Sequence, residues 1–172
     1  DIPRPTNDYG RSKLDAEEEV RASGVPFTIL RPVAVYGPHS KGNIKTLAKL
    51  AMTPLPLPVP AFRGRRSLLG IDNIISVILF VLTNPAAANE IYLVADATPF
   101  TVSDIFTMLR KALGRRPGLI YIPAALLRFV LKAANRLNYW PRLGEDLIVD
   151  TAKLQALGWR PAVNTYDGIA AM

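Results

Sequence analysis

Tyr9 and Lys13 stand four residues apart in the run Asp8-Tyr9-Gly10-Arg11-Ser12-Lys13. On a helix, that spacing puts both side chains on one face. An ammonium beside a phenol favours the phenolate and lowers a tyrosine pKa toward working pH. A phenol tuned in this way takes or gives a proton at a sugar or alcohol hydroxyl during hydride transfer. The same spacing also suits an exposed tyrosine and a solvated lysine on an amphipathic helix, so the surrounding elements must decide.

Residues 8–23 read as a helix rich in acids, ended by Gly24, which tolerates a left-handed conformation. Pro26 to Arg31 reads as a short buried strand. The run Pro32-Val33-Ala34-Val35-Tyr36-Gly37-Pro38 reads as the loop leaving its carboxyl end, where open α/β sheets bind ligands. A short helix is expected from Asn43 to Met52, with Ile44, Leu47, Ala48 and Ala51 on one face. Prolines at 54, 56, 58 and 60 then remove donors and impose extended geometry. Ser67 to Ile71 reads as a strand, with Asp72 as N-cap of an apolar helix from Asn73 to Thr83. A buried strand follows at Ile91 to Val94. Thr101 opens a helix that runs to Leu113 and stops at Gly114. Leu119 to Ile122 reads as a strand, Pro123 to about Asn138 as a long helix, and Val149 to Leu154 as the start of a short helix ending at Gly158. The alternation of helices and strands is that of an α/β protein.

Composition limits the chemistry. Hydrophobic residues are 49% and charged residues 20%, ordinary globular usage. The chain has no cysteine and one histidine, His39. Disulfides, thiolate zinc sites, His-rich metal sites and a Ser-His-Asp triad are therefore excluded, and no metal site is expected. No apolar run reaches the ~20 residues of a membrane-spanning helix, and no signal peptide is visible, so a cytoplasmic setting is expected. The net charge is +7 and the pI about 9.9. Basic residues cluster at Arg63, Arg65 and Arg66 and again from Arg110 to Arg116. No helix-turn-helix, RNA-recognition or zinc-finger pattern accompanies them, so the expected anionic partner is a phosphorylated ligand rather than a nucleic acid. In the helix after Pro123, Arg128, Lys132 and Arg136 share one face. Leu126, Leu127, Val130, Leu131, Ala134 and Leu137 cover the other, with Tyr139 and Trp140 beyond. Such a helix can lie on a membrane surface, but a core-facing helix with a solvated basic side is the commoner form. Peripheral membrane contact is the lesser expectation.

Taken in order, Tyr9-Gly10-Arg11-Ser12-Lys13, Leu30-Arg31-Pro32-Val33-Ala34-Val35-Tyr36-Gly37-Pro38, Arg65-Arg66-Ser67-Leu68-Leu69-Gly70-Ile71-Asp72-Asn73 and Leu157-Gly158-Trp159-Arg160-Pro161 resemble the extended short-chain dehydrogenase/reductase family. Its members include the NAD-dependent nucleotide-sugar epimerases and dehydratases, and the likeness runs nearly the whole chain. The fold it implies is the C-terminal part of a Rossmann-like parallel-sheet NAD domain plus a small α/β substrate-binding domain. Residues 1–38 and 67–98 would belong to the first, and residues 39–66 and 99–172 to the second. The implied activity is UDP-sugar 4-epimerisation through a transient 4-keto sugar. The alternatives are NAD(P)H-dependent reduction of a UDP-4-keto sugar for surface polysaccharide, or a non-catalytic nucleotide-sugar binding module.

The resemblance also implies roles. Tyr9 would be the acid/base. Lys13 would hold the nicotinamide ribose and lower the Tyr9 pKa, and Pro32 and Val33 would line the cofactor. Asn43 and Arg66 would reach the nucleotide phosphates. Leu57, Pro58 and Val59 would line the uracil, partly through backbone groups, and Arg142 would be a second phosphate-binding arginine. Each has a plainer reading: Asn43 as a helix cap, Arg66 as a surface arginine easily exchanged with Arg65, and Arg142 as a salt-bridge residue. Ala34 stands where many members have asparagine, which leaves sugar identity open. No Gly-x-Gly-x-x-Gly turn occurs among these residues, and the family's catalytic Ser/Thr is absent too. The expectation is thus a C-terminal half whose partners are the N-terminal half of the same enzyme, a UDP-sugar and, when intact, a second copy in a homodimer. NAD is the expected cofactor, with NADP for the reductase alternative.

Overall fold

The structure is a computed structural model that describes residues 3–38, 40, 42–135, 140 and 144–172. Helix α1 (Asp8–Ala22) begins where the Asn7 side chain accepts the Gly10 N–H, and Gly24 follows it at φ +72°. None of its residues is buried. It is tied down instead by Glu17, whose carboxylate takes two bonds from the Arg31 Nε, at 2.9 and 3.1 Å, and one from its Nη2. Arg31 lies in strand β1 (Thr28–Pro32).

The strands form short pairs, two parallel and one antiparallel. Strand β1 runs parallel to β5 (Glu90–Val94), with Ile29 opposite Ile91 and Pro32 opposite Val94. Strand β2 (Ala34–Tyr36) runs parallel to β4 (Leu68–Gly70). Strand β3 (Arg65–Arg66) pairs antiparallel with β6 (Phe100–Thr101). The architecture is α/β. The run after Pro32 is thus partly strand rather than loop, because Ala34 to Tyr36 finds the backbone of Leu68 to Gly70.

Among the described residues, further α-helices are α2 (Gly42–Met52), α3 (Ile71–Thr83), α4 (Val102–Ala112), α5 (Ala124–Ala133), α6 (Ala152–Ala156) and α7 (Thr165–Ala170). Helix α4 opens on a capping box. The Thr101 hydroxyl accepts the Asp104 N–H while the Asp104 carboxylate accepts the Thr101 N–H. Helix α3 corrects the expectation at Asp72: its N-cap is Gly70, and Asp72 lies in the first turn. No side chain caps the first turn of α3; the N–H of Gly70 itself is accepted by the side chain of Asp96, a residue distant in sequence. Around the prolines, Leu57 bridges in parallel to Leu119, and Val59–Ala61 makes one 3₁₀ turn with Pro60 where no donor is needed. The strand expected over 119–122 is reduced to that bridge, because Leu57 offers it only one residue's edge. Helix α7, capped by Asn164, was not anticipated.

Two buried clusters form the core. The first joins Tyr36, Ile44, Ala51, Val59, Leu68, Phe106, Leu127 and Ile169. The second joins Leu69, Val77, Tyr92, Val94, Leu154 and Trp159. In α5, Leu127 is buried and Leu131 packs on the first cluster, but Leu126 and Val130 face solvent, unlike the single core-facing stripe expected. Helix α5 stops at Ala133 rather than near Asn138, with Ala134 as C-cap and Asn135 turned to φ +54°; residues 136–139, His39 and Arg142 lie outside the described residues. Among the described residues, no helix is long and apolar enough to cross a membrane.

Candidate functional site

Helix α1 places Tyr9 and Lys13 on one flank, with the Lys13 Nζ 5.6 Å from the centre of the Tyr9 ring. Tyr9 is 72% exposed, and Lys13 is exposed as well. The pair is thus open to a ligand and carried on a helix anchored to β1 through Glu17 and Arg31. Pro32 ends β1 at the carboxyl edge of a parallel pair. Val33 continues in register, donating its N–H to the Val94 carbonyl at 3.2 Å. Val33 also packs against the second core cluster. Any contact it makes to a ligand must therefore use its carbonyl or side chain.

The substrate candidates gather on the other cluster. Asn43 is exposed in the first turn of α2, one residue inside the helix. Leu57 gives its N–H to the Gly118 carbonyl and its carbonyl to the Ile120 N–H, each at 3.0 Å. Both backbone groups of Leu57 are thereby engaged within the protein. Val59 is buried in the first cluster, while Pro58 before it is half-buried. Beside this segment lies a cleft of about 410 Å³, lined by Pro60, Ala61, Arg63, Tyr121 and Trp140. The Trp140 ring lies 5.5 Å from that of Phe62.

The arginine pair separates clearly. Arg65 donates its N–H to Asp146 at 2.7 Å and its Nη2 to the same carboxylate at 3.1 Å. These bonds, led by that from the Arg65 backbone, hold the Asp146 carboxyl below its usual range. Arg66 is half-buried and, among the described residues, its side chain reaches the Glu145 carbonyl alone, at 3.5 Å through Nη2. Its Nε is buried without a partner among them. Burial lowers the Arg66 pKa, and the nearby Asp146 offsets this in part. An arginine with a desolvated, unpaired N–H is electrostatically hungry for an anion, and its planar fork suits a phosphate. Arg65 and Arg66 look equivalent in sequence; their surroundings leave the unused donor on Arg66.

A buried carboxylate ties β2, β4, α3 and α7 together. Asp96 sits just past β5, and its Oδ2 accepts the Tyr36 and Thr165 hydroxyls, each at 2.8 Å. Its Oδ1 accepts the Asn73 Nδ2 at 2.7 Å and the Gly70 N–H at 3.2 Å. Asn73 in turn exchanges two bonds with Val163. Burial, then the bond to Asp96, pushes the Tyr36 pKa far above its usual value. Tyr36 is thus a structural phenol rather than a second acid. Sequence reading missed Asp96; an acid between a buried strand and a helix cap was the available signal.

The candidate residues fall into two groups attached to different clusters: Tyr9, Lys13, Pro32 and Val33 around β1 and β5, and Asn43, Leu57, Val59 and Arg66 around α2 and β3. Tyr36 and Asp96 join the two clusters. Among the described residues, no His/Cys/Asp/Glu group could hold a metal ion.

Residues 1–101 match the family model of the RmlD substrate binding domain. A UDP-glucose 4-epimerase of Vibrio cholerae is 31% identical over 170 residues, covering 95% of this chain and 52% of that protein. The N-acetyl-alpha-D-glucosaminyl-diphospho-ditrans,octacis-undecaprenol 4-epimerase of Escherichia coli O157:H7 is 28% identical over 71% of this chain and 39% of its own. An Arabidopsis thaliana trifunctional protein, whose name includes UDP-4-keto-L-rhamnose-reductase, is 28% identical over 96% of this chain and 24% of its own. The chain spans about half the length of the first of these relatives. Among solved structures, the UDP-glucose 4-epimerase of Thermotoga maritima with UDP-glucose superposes with a TM-score of 0.71 at 21% identity, over 99% of this chain and 53% of that one. The UDP-glucose 4-epimerase of Thermus thermophilus complexed with NAD gives 0.68 at 22%, over 98% and 53%. These two likenesses concern the fold.

Proposed function

The chain belongs to the RmlD substrate binding domain family, within the extended short-chain dehydrogenase/reductases that include nucleotide-sugar epimerases and dehydratases, and from that premise we propose that it carries the acid/base pair and much of the nucleotide-sugar site of an NAD-dependent UDP-sugar 4-epimerase. The observation that carries this reading is the Tyr9–Lys13 pair, stacked and open to solvent on α1, ahead of a parallel strand pair. The kinship to the Vibrio cholerae epimerase supports it.

The residues suit the nicotinamide end of NAD. Lys13 offers ammonium donors to ribose hydroxyls beside the Tyr9 phenol, and Pro32 and Val33 lie at the carboxyl edge of β1. The Gly-rich turn that would take the pyrophosphate is not among these 172 residues. When bound, NAD supplies a hydride acceptor and donor. Tyr9, as phenolate, takes the proton of the sugar C4 hydroxyl as that carbon is oxidised to a ketone. It returns the proton when the ketone is reduced on its other face. Arg66 and Asn43 hold the diphosphate while the sugar turns, and the Leu57 to Val59 segment borders the base. Arg142 is the further arginine proposed for the phosphates. The cofactor side comprises 1–38 and 67–98, and the substrate side 39–66 and 99–172. Leu154 and Trp159 of the latter brace the cofactor side from behind. The protein acts in the cytoplasm as a homodimer.

The test is turnover of UDP-galactose and UDP-N-acetylgalactosamine by the whole protein with no added NADPH. Conversion to the 4-epimer is expected. Product only from a 4-keto sugar with NAD(P)H would favour the reductase reading, which the Arabidopsis thaliana relative supports. UDP binding without either reaction would leave a nucleotide-sugar binding module.

A further inference from the structure

The 40 residues from Ile105 to Gly144 contain no aspartate or glutamate, yet hold eight of the chain's 21 lysines and arginines. The middle of this acid-free stretch is α5. Its Leu127 and Leu131 face the core, whereas Leu126, Phe129 and Val130 face solvent, 53, 70 and 51% exposed. Positions 126, 129, 130 and 133 form one stripe on the helix, and Arg128 and Lys132 border it. A helix packed on a single core needs one apolar face. This one has two, and the second is edged by cations alone.

Charge identifies the occupant. Helix α3 also turns apolar residues outward, Ile75, Ile78, Leu79 and Leu82, but it carries Asp72 and no basic residue. A second protein surface would suit α3 as well as α5. Of these two helices, α5 alone joins its apolar crest to basic side chains, Arg128 and Lys132, with no carboxylate on the helix. That combination matches an anionic bilayer, into which side chains such as Phe129 and Leu126 insert while Lys and Arg pair with headgroups. A nucleic acid would use the charge and leave the crest unburied.

We propose that α5 docks the protein peripherally on an anionic lipid surface, lying in the interface with Leu126, Phe129 and Val130 inward. The inference is independent of the proposed reaction. The experiment is co-sedimentation of the protein with vesicles of phosphatidylglycerol and phosphatidylcholine, against pure phosphatidylcholine, at low salt and at 0.5 M salt, alongside light scattering. Binding to the anionic vesicles is expected to exceed binding to the neutral ones at least about tenfold and to weaken in high salt. The double substitution Leu126→Gln, Phe129→Glu should cut it by at least about tenfold while circular dichroism and melting stay unchanged, since both side chains are exposed. Absence of binding, equal binding to both vesicle types, or full binding by the variant would each overturn the proposal. So would self-association of the parent that the variant abolishes, with no vesicle binding, because a second copy would then cover the face. If the variant fails to fold, the lipid and salt comparisons on the parent decide alone.

Discussion

Replacing Tyr36 by phenylalanine should destabilise the protein by a definite and pH-dependent amount. The substitution deletes one oxygen and keeps the ring, which is packed so closely that a methyl on Gly70 or Gly168 would lie 2.9 or 2.7 Å from the phenolic oxygen. The lost bond is the 2.8 Å contact to Asp96. A hydrogen bond to a charged group contributes about 1.5–3 kcal/mol. The lower end is expected here, because Asp96 Oδ2 keeps the Thr165 hydroxyl. The pH dependence has a clear sign. The Tyr36 pKa is raised in the folded protein, by burial first and by Asp96 next. Its contribution is therefore whole below the unfolded tyrosine value of about 10 and is lost as pH rises beyond it. In that range the unfolded parent releases a proton that the folded one retains, so the parent loses about 1.4 kcal/mol per pH unit from this residue. The variant does not. Tyr92, also raised chiefly by burial, acts equally in both and cancels. Urea unfolding of parent and variant at pH 7 and through the range 9–11 reads the result. The gap should be about 1.5 kcal/mol at pH 7 and narrow above about 10. A gap below about 0.5 kcal/mol at pH 7, the level of an indifferent surface change, or one constant to pH 11, would refute the reasoning.

Tyr9→Phe in the whole protein should abolish turnover while leaving UDP-sugar affinity within a few-fold, since only the phenolic proton is removed; near-parental turnover would end its assignment as acid/base. Lys13→Met should weaken both NAD binding and turnover. Arg66→Ala should weaken UDP binding by about 10- to 150-fold in calorimetry, the equivalent of about 1.5–3 kcal/mol of charge-assisted bonding. Arg65→Ala should do less, because Asp146 already occupies Arg65; equal losses would erase the distinction. Gly168→Ala should destabilise by about 1–3 kcal/mol in urea, as its methyl would stand 2.9 Å from the Tyr36 ring as well as against its oxygen. A neutral outcome would mean the ring can move.

Features set by local chemistry were legible in the sequence. Asn7 and Gly24 bound α1, the Thr101–Asp104 box starts α4, and Tyr9 and Lys13 share a face because helical geometry alone requires it. Features set by distant partners were not. The N-cap residue of α3, Gly70, is held by Asp96, 26 residues beyond it, and the run after Pro32 became strand because Leu68 to Gly70 lay alongside.

The same division holds at the site. The sequence by itself determined which chemistry is available: a phenol and an ammonium one helical turn apart, arginines for phosphate, no thiol and a single imidazole. It also marked a stretch from Ile105 to Gly144 with cations and no carboxylate. Only the tertiary structure decided how those groups differ. Arg65 and Arg66 are one residue apart, yet Asp146 satisfies the first and burial leaves an N–H of the second unpaired. Tyr9 and Tyr36 are both phenols, yet one is open to solvent and the other is held neutral by burial and a carboxylate. Leu126 and Leu127 are adjacent leucines, yet the core takes only the second. Residue type sets what a side chain can do in water. Desolvation and partners drawn from far along the chain set what it does in the folded protein, and neither is written at the residue itself.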